Sequence, residues 1–187
     1  MTVISTMCVL SEMRNVFITG FMGTGKSCVG EALAARLGRE FVDLDEQIVQ
    51  AAGEQINAIF AGQGEAHFRT LEYEALKKLC SGSGFVVSTG GGAVISMENR
   101  SLMHDSGVVV NLRASAETIR NRLDGDDKRP LLRDDKSAEK IAAMLEEREP
   151  CYADADIRID TTGRSVEEIV EHILLWLKSH VCGKVSA

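Results

Sequence analysis

Short apolar runs alternate with longer segments of helical periodicity along most of the chain. The runs are rich in valine, isoleucine and phenylalanine, which is typical of buried strands. They predict strands at 16–19, 41–45, 85–88, 108–112 and 157–159. Between them, apolar residues recur at the three- and four-residue spacing of amphipathic helices. The predicted helical segments are one that ends near Leu37–Gly38, one over 46–80 with breaks at Gly53 and at 62–64, and three more at 116–123, 137–149 and 166–180.

The alternation of these elements predicts the fold class. Parallel sheets are built from strands joined by helices, and helices cover both of their faces. We therefore expect an α/β fold with three α/β/α layers around a central five-stranded parallel sheet. A chain of 187 residues has the size of one domain. We assign that domain to 14–180, with a loosely ordered extension at 1–13 and a tail at 181–187.

The segment after the first predicted strand carries the most specific motif. Residues 20–27 read Gly-Phe-Met-Gly-Thr-Gly-Lys-Ser and fit the phosphate-loop pattern G-x-x-x-x-G-K-[ST] at every fixed position. Glycines let successive N–H groups point into one concavity, and the following helix adds its N-terminal dipole. Lys26 can then place a cation on the outer phosphates, and the Ser27 hydroxyl can hold Mg²⁺. The residues expected to bind ATP here are Gly23, Thr24, Gly25, Lys26, Ser27 and Cys28.

Two other interpretations of this glycine-rich segment are weaker. A simple turn would not need a strand before it and a helix after it, yet both are predicted here. A dinucleotide-binding loop would need a glycine three positions after Gly25, where this chain has Cys28. The segment therefore predicts a site for a nucleoside triphosphate.

Composition narrows the setting of this site. The chain is 44% hydrophobic and 26% charged, with a mean hydropathy of −0.03. No apolar run approaches the roughly 20 residues that span a bilayer. The net charge of −7 argues against nucleic acid as a partner, because that binding uses basic surfaces. Five scattered cysteines without a C-x-x-C pair favour reduced thiols. We expect a cytoplasmic monomer with no membrane or nucleic-acid partner.

Acidic residues and glycines follow the predicted strands, where open α/β sheets bind ligands. Asp43 and Asp45 would share one side of a strand by two-residue alternation. Asp45 is a candidate for holding or deprotonating an attacking hydroxyl, and a helix N-cap is its structural alternative. The three glycines at 90–92 favour close backbone approach to a ligand over a simple flexible turn.

Two arginines stand on predicted helices beside carboxylates. Arg69 shares a helix face with Glu65 and Glu72, so surface pairs worth about 0.2–0.5 kcal/mol each would explain it. Arg148 follows two glutamates, and without further context a solvated helix face is the default interpretation. Both arginines could instead bind a planar carboxylate, to which a guanidinium offers paired donors.

The segment 124–135 differs from its surroundings. It contains Pro130, a set of aspartates and basic residues, and two leucines as its apolar positions. That composition predicts a mobile loop rather than a core element. A loop that closes over a phosphoryl-transfer site would exclude water and so disfavour hydrolysis of ATP.

Five further motifs occur in a fixed order along the chain. They are Asp43-Leu44-Asp45, Phe68-Arg69-x-x-Glu72, Gly90-Gly91-Gly92, Arg129-Pro130-Leu131-Leu132 and Arg148-x-Pro150-x-Tyr152. Together with the phosphate loop, this set resembles the shikimate kinase family, within the nucleoside-monophosphate-kinase-like branch of P-loop proteins. The resemblance covers about 14–178. It implies a P-loop NTPase fold with a mobile lid, and transfer of the ATP γ-phosphoryl group to the 3-hydroxyl of shikimate on the way to aromatic amino acids.

The resemblance also implies roles for the phosphoryl-transfer residues. Lys26, Asp45 and Arg129 would be the catalytic residues, with Arg129 moving with the lid onto the γ-phosphate. Mg²⁺ would be held by Ser27 and, through water, by Asp43.

By the same resemblance, the acceptor site would bind the carboxylate and the hydroxyls of shikimate. Arg69 and Arg148 would clamp the carboxylate, Glu72 would orient Arg69, and the glycines would donate N–H groups. The residues implied to bind shikimate are Asp45, Arg69, Gly90, Gly91, Gly92 and Arg148.

Two arginines would lie near the adenine. Arg122 matches a position that stacks on the base in relatives, and Arg164 belongs to a loop that would line the other side. Cys28 stands where a threonine is common.

Two other functions compete with this interpretation. A second small-metabolite kinase of the same branch, such as a gluconate kinase, would share the phosphate loop. A nucleotide-dependent switch would be expected to carry an N-K-x-D base-reading motif, which this sequence lacks. The triple glycine and the two arginines favour a carboxylated polyol as the acceptor.

Overall fold

A computed structural model describes residues 14–123 and 137–181. The predicted extension at 1–13, the predicted lid at 124–135 and the end of the predicted tail lie outside these residues, so the domain boundaries stay predictions. The described strands are β1 (Asn15–Thr19), β2 (Glu40–Asp43), β3 (Phe85–Ser88), β4 (Gly107–Arg113) and β5 (Ile157–Asp160). The described α-helices are α1 (Lys26–Leu37), α2 (Leu44–Ala52), α3 (Ile56–Cys80), α4 (Met97–Ser106), α5 (Ala116–Leu123), α6 (Ala138–Ala153) and α7 (Val166–Val181).

The five strands form one parallel sheet in the order β2-β3-β1-β4-β5. Side chains alternate along β1, so Phe17 packs into a core with α3, α4 and α6. Val16 and Ile18 pack on the other face with α1 and α7. Both faces of the sheet are therefore covered, which confirms the predicted three-layer α/β/α fold. In the described part of the chain, no helix is both long and apolar enough to cross a membrane.

The second strand ends earlier than predicted. It stops at Asp43, and Leu44 begins α2. The Asp43 side chain accepts hydrogen bonds from the N–H groups of Asp45 and Glu46, so it caps the helix at once. The prediction that Asp43 and Asp45 alternate along one strand is therefore wrong, because Asp45 lies in the first helical turn.

Two helices depart from simple periodicity. The predicted break at 62–64 is confirmed, since Gly64 inside α3 has φ 80° and ψ 173°, a backbone conformation suited to glycine. The predicted end of α6 at residue 149 is wrong, because the helix runs through Pro150 to Ala153. Tyr152 in this last turn is buried, so packing holds the helix together where proline alone would favour its end.

The carboxyl ends of three neighbouring strands meet at one edge of the sheet. Ser88 at the end of β3 is in register with Ile18 of β1 and with Asp43 of β2. The backbone N–H of Thr89 continues this contact by donating to the Ile18 carbonyl at 3.0 Å. The phosphate loop, the start of α2 and the three glycines therefore leave the sheet side by side.

The buried amide of Asn15 fixes the connection between α3 and β3. Its nitrogen donates to the carbonyls of Leu79 and Gly82 at 3.4 and 3.1 Å, and its oxygen accepts from the Phe85 N–H at 3.0 Å. This side chain thus aligns the start of the strand that leads to the glycines.

We expect Asn15→Ala to lower the free energy of unfolding by about 2–4 kcal/mol, because backbone groups would lose their partner in a buried place. Urea denaturation monitored by circular dichroism measures this loss. Glu40→Ala is the matched control, since Glu40 is an exposed strand residue. Equal stability of the two variants would contradict the role given to Asn15.

Candidate active site

A cavity of about 180 Å³ opens at the carboxyl edge of the sheet. It brings together most of the residues that the sequence predicted for phosphate, metal and acceptor. The polar and glycine residues that line it are Lys26, Ser27, Asp43, Asp45, Arg69, Glu72, Ser88, Thr89, Gly90, Gly91, Gly92 and Arg148, with Asn57. The residues predicted to bind phosphate and those predicted to bind a carboxylate thus line one cavity.

The phosphate loop has the backbone that its glycines predict. Gly20, Gly23 and Gly25 have φ values of 140°, 78° and 94°, which side-chain-bearing residues rarely adopt. The Thr24 hydroxyl donates to the Phe21 carbonyl at 2.7 Å and tightens the loop. Lys26 lies at the N-terminus of α1 and its ammonium donates to the same carbonyl at 3.0 Å. The loop therefore places N–H groups, a helix N-terminus and a cation around one concavity.

Oxygen ligands gather beside the loop. The Ser27 hydroxyl donates to Asp43 Oδ2 at 3.1 Å, and the Ser88 hydroxyl lies 3.5 Å from Ser27 Oγ. Asp43 Oδ1 caps α2, so its two oxygens serve two elements. Hydroxyl and carboxylate oxygens are the donors that Mg²⁺ prefers, so these residues fit that ion. Sequence reasoning missed Ser88, whose signal is its place as the last residue of β3.

Asp45 faces the glycine turn. Any β-carbon on Gly90 would lie 2.7 Å from Asp45 Oδ1, so the missing side chain makes room for this carboxylate. The alternative in which Asp45 is the helix N-cap is wrong, because Asp43 occupies that position. Asp45 therefore lies in the first turn of α2, and its side chain lines the cavity.

Arg69 is held by two carboxylates on its own helix. Its guanidinium contacts Glu72 at 2.9 Å and Glu65 at 2.9 Å. Both predicted pairs form, but Glu72 is only 1% exposed, so its pair with Arg69 is not the surface pair of the simple interpretation. A β-carbon on Gly92 would lie 2.6 Å from the guanidinium, which shows how closely the backbone approaches it.

The pair between Arg69 and Glu72 has a clear electrostatic cause. Burial raises the pKa of the Glu72 carboxyl, and the positive charge of Arg69 opposes that shift. For Arg69, burial lowers the pKa, but the charges of Glu72 and Glu65 outweigh it and raise the pKa overall. The guanidinium therefore stays charged and fixed in orientation beside the cavity.

Arg148 has different neighbours from Arg69, and they include the side chain of Tyr152. It lies on α6 with its guanidinium carbon 5.9 Å from the centre of the Phe21 ring. Among the described residues no carboxylate forms a salt bridge with it. It is half-buried and lines the cavity, while Glu146 and Glu147 on the same helix are exposed. The interpretation of Arg148 as part of a solvated face is therefore wrong.

An apolar wall closes one side of the cavity. Phe60 and Phe68 have ring centres 4.7 Å apart, and Met22 and Ile56 complete the wall. The sequence predicted Phe68 only as part of the Phe68-Arg69-x-x-Glu72 motif and assigned no functional role to Phe60, so it did not predict that both rings line this cavity. Their signal was the run of apolar positions in α3 next to Arg69.

The residues predicted for adenine lie away from this cavity. Arg122 donates to the Gly23 carbonyl at 3.2 Å and to the Thr161 hydroxyl and carbonyl at 3.0 and 2.9 Å. The backbone N–H of Arg164 also reaches the Thr161 carbonyl, at 3.3 Å. Arg122 therefore adjoins the phosphate loop, and both arginines contact Thr161, the residue directly after β5. Cys28 is exposed in the first turn of α1. Arg129 lies outside the described residues.

The comparisons with known proteins agree with this site. The family model described as shikimate kinase matches residues 22–178. A shikimate kinase of Geobacter metallireducens is 56% identical over 93% of this chain and 97% of that protein. A shikimate kinase of Geobacter sulfurreducens is 54% identical over 94% of this chain and 97% of that protein.

Solved structures lead to the same family. The structure of shikimate kinase from Acinetobacter baumannii in complex with shikimate superposes with a TM-score of 0.88, at 35% identity over 93% of this chain and 98% of that chain. A shikimate kinase structure from Aquifex aeolicus gives a TM-score of 0.77 at 34% identity over 90% of this chain and 99% of that chain. From its motifs, its fold and these relatives, this chain belongs to the shikimate kinase family.

Proposed function

We propose that this protein transfers the γ-phosphoryl group of ATP to the 3-hydroxyl of shikimate and releases shikimate 3-phosphate and ADP. The observation that carries the proposal is the shared cavity. Lys26 and Ser27 line it together with Asp45, Arg69 and Arg148, so a phosphate donor and a carboxylated acceptor can meet there. Membership of the family supports the choice of acceptor.

The donor half of the site is the phosphate loop. Its N–H groups and Lys26 bind the outer phosphates and neutralise charge as the bond to the leaving ADP oxygen breaks. Ser27 and Asp43 would hold Mg²⁺, with Asp43 acting through water, since Mg²⁺ keeps much of its hydration. When bound, the ion supplies charge cancellation on the phosphates. Arg122 and Arg164 contact the adenine side, and Cys28 adds a phosphate contact through its backbone.

The acceptor half holds shikimate by its carboxylate and hydroxyls. Arg148 brings a cation without a carboxylate partner among the described residues, and Arg69 brings one that Glu72 has already oriented. Gly90, Gly91 and Gly92 donate N–H groups to the ring hydroxyls, because no side chain keeps the ligand away. The apolar wall formed by Met22, Ile56, Phe60 and Phe68 contacts the carbon face of the ring.

The chemical step needs in-line positioning more than covalent help. The acceptor oxygen forms a bond to the γ-phosphorus while the bond to the β,γ-bridging oxygen breaks, and ADP leaves with that electron pair. Asp45 accepts the hydroxyl proton or holds the hydroxyl in line. Arg129, which lies outside the described residues, would neutralise charge on the γ-phosphate.

We further propose that the protein works as a monomer in the cytoplasm, without nucleic-acid or membrane partners. The acidic balance, a net charge of −7, supports the absence of nucleic acid. Cys28, Cys80 and Cys151 are free thiols, which suits a reducing compartment.

A substrate series tests the proposal directly. We expect release of ADP in a coupled assay to depend on shikimate, with little release on quinate or gluconate, because two arginines and the glycine turn select a compact carboxylated ring. Detection of shikimate 3-phosphate by mass spectrometry ties the ADP to the acceptor. Release of ADP at the same rate with every acceptor, or with none, would refute the kinase assignment.

Asp45→Asn tests the catalytic carboxylate. The amide keeps the size of the side chain but cannot accept a proton, so we expect kcat to fall by about 10²- to 10⁴-fold, with the Kd for ATP nearly unchanged. Steady-state kinetics and titration with ATP measure the two effects. The matched control is Glu46→Gln, in which the next, exposed carboxylate is changed in the same way. Nearly intact turnover in Asp45→Asn would contradict the proton-accepting role and leave only orientation.

Arg148→Lys tests the carboxylate clamp. Lysine keeps the charge but loses the paired donors, so we expect kcat/KM for shikimate to fall by about 10- to 100-fold, mainly through KM. The KM for ATP should stay within about twofold. Arg36→Lys is the control, since Arg36 pairs with Glu171 on the surface away from the cavity. An equal rise in both KM values would place Arg148 outside the acceptor site.

A further inference from the structure

The glycines at 90–92 belong to a β-turn whose conformation they do not determine by themselves. The Ala93 N–H donates to the Gly90 carbonyl at 3.2 Å, which closes a four-residue turn with Gly91 and Gly92 at its centre. Gly92 has φ −100° and ψ −6°, close to the type I values at that position of about −90° and 0°. Type II needs a positive φ there, which glycine adopts at little cost.

The two turn types differ by a rotation of the peptide between Gly91 and Gly92. In a trans peptide the C=O and N–H bonds point in opposite directions, so this rotation reverses the Gly91 carbonyl and the Gly92 N–H together. Among the described residues, no group accepts a hydrogen bond from the Gly91 or Gly92 N–H. The direction of this peptide therefore decides which groups the turn offers to the cavity.

The hydroxyl of Tyr152 holds the carbonyl of this peptide. It donates to the Gly91 oxygen at 2.8 Å. The side chain is only 3% exposed, so water cannot readily replace it as the donor. Burial raises the pKa of Tyr152 to about 12, against the opposing charge of Arg148, so the hydroxyl keeps its proton at any physiological pH.

The residues around the Tyr152–Gly91 hydrogen bond restrict the orientation of the turn. Tyr152 does not line the cavity, so the Gly91 carbonyl that accepts from its hydroxyl is turned away from the cavity. The Gly92 N–H, on the opposite side of the same peptide, is then turned toward the cavity. A β-carbon on Gly91 would lie 3.3 Å from the Met22 nitrogen, so the turn also packs closely against the backbone of the phosphate loop. Arg148 precedes Tyr152 by one helical turn on α6, on the same face of that helix.

We propose that Tyr152 is a positioning residue for the acceptor, which locks the turn at 90–93 in its type I form so that the Gly92 N–H faces the substrate. One helix, α6, then supplies both the guanidinium of Arg148 and the hydroxyl that orients the glycine backbone opposite it. This inference rests on the proposed function for the identity of the acceptor, but the locked peptide itself does not.

Tyr152→Phe removes the hydroxyl and keeps the ring. We expect the KM for shikimate to rise by about threefold to tenfold, the range of one neutral hydrogen bond, while kcat and the KM for ATP stay within about twofold. A purely structural loss would instead lower kcat and raise both KM values together, or lower the amount of folded enzyme. Tyr73→Phe is the matched control, because the hydroxyl of Tyr73 has no hydrogen-bond partner among the described residues.

NMR spectroscopy of the backbone amides reports on the peptide between Gly91 and Gly92 independently of catalysis. With glycine labelled by ¹⁵N, the Gly92 resonance of Tyr152→Phe should shift or broaden as the turn samples both forms, and Tyr73→Phe should leave it in place. An unchanged resonance with unchanged KM for shikimate would overturn the inference, as would loss of the fold in Tyr152→Phe. If the unmodified enzyme failed to phosphorylate shikimate, the proposed function would be wrong. The Gly92 resonance in Tyr152→Phe would still test whether the Tyr152 hydroxyl fixes the conformation of the turn.

Discussion

Because the five strands in the described part of the chain are parallel, each one delivers the segment that follows it to the same edge of the sheet. This constraint makes the site possible. The phosphate loop after β1, the first turn of α2 after β2 and the glycine turn after β3 come from distant parts of the chain, yet they surround one cavity. Helix N-termini and backbone N–H groups at this edge create a place for anions on a chain whose net charge is −7. The acidic surface and the anionic ligands are therefore compatible.

A buried ion pair orients one of the two arginines at that edge. Glu72, which is 1% exposed, and Glu65 together hold the Arg69 guanidinium in one direction, and their charges raise its pKa. Breaking such a buried pair by removing one partner is costly, since it leaves a charge without compensation. Arg148 differs from Arg69, because among the described residues no carboxylate forms a salt bridge with it. One arginine is pre-oriented and the other is available, which suits capture of a carboxylate from two sides.

The helix α6 connects these parts. It carries Arg148 toward the cavity and, one turn later, Tyr152 toward the Gly91 carbonyl. A proline between them would ordinarily end the helix, and the helix persists because Tyr152 is packed in the core. The glycine turn can approach Asp45 and Arg69 closely since it has no side chains, but the same freedom leaves its central peptide undetermined. Contact with α6 removes that freedom.

The sequence by itself determined the five strands, most of the helices, the phosphate loop and the residue types proposed for the acceptor site, because these depend on local periodicity and on motifs with fixed spacing. It did not predict the helix Met97–Ser106. It placed Asp45 in a strand, since alternation looked intact to that point and the capping of α2 by Asp43 was not weighed. Without the family resemblance, the sequence also favoured a surface ion pair for Glu72 and a solvated helix face for Arg148. Only the tertiary structure decided their burial, the extension of α6 past Pro150 and the link from Tyr152 to Gly91. These features join positions far apart in the chain, and burial and hydrogen bonding between them exist only after the strands have assembled.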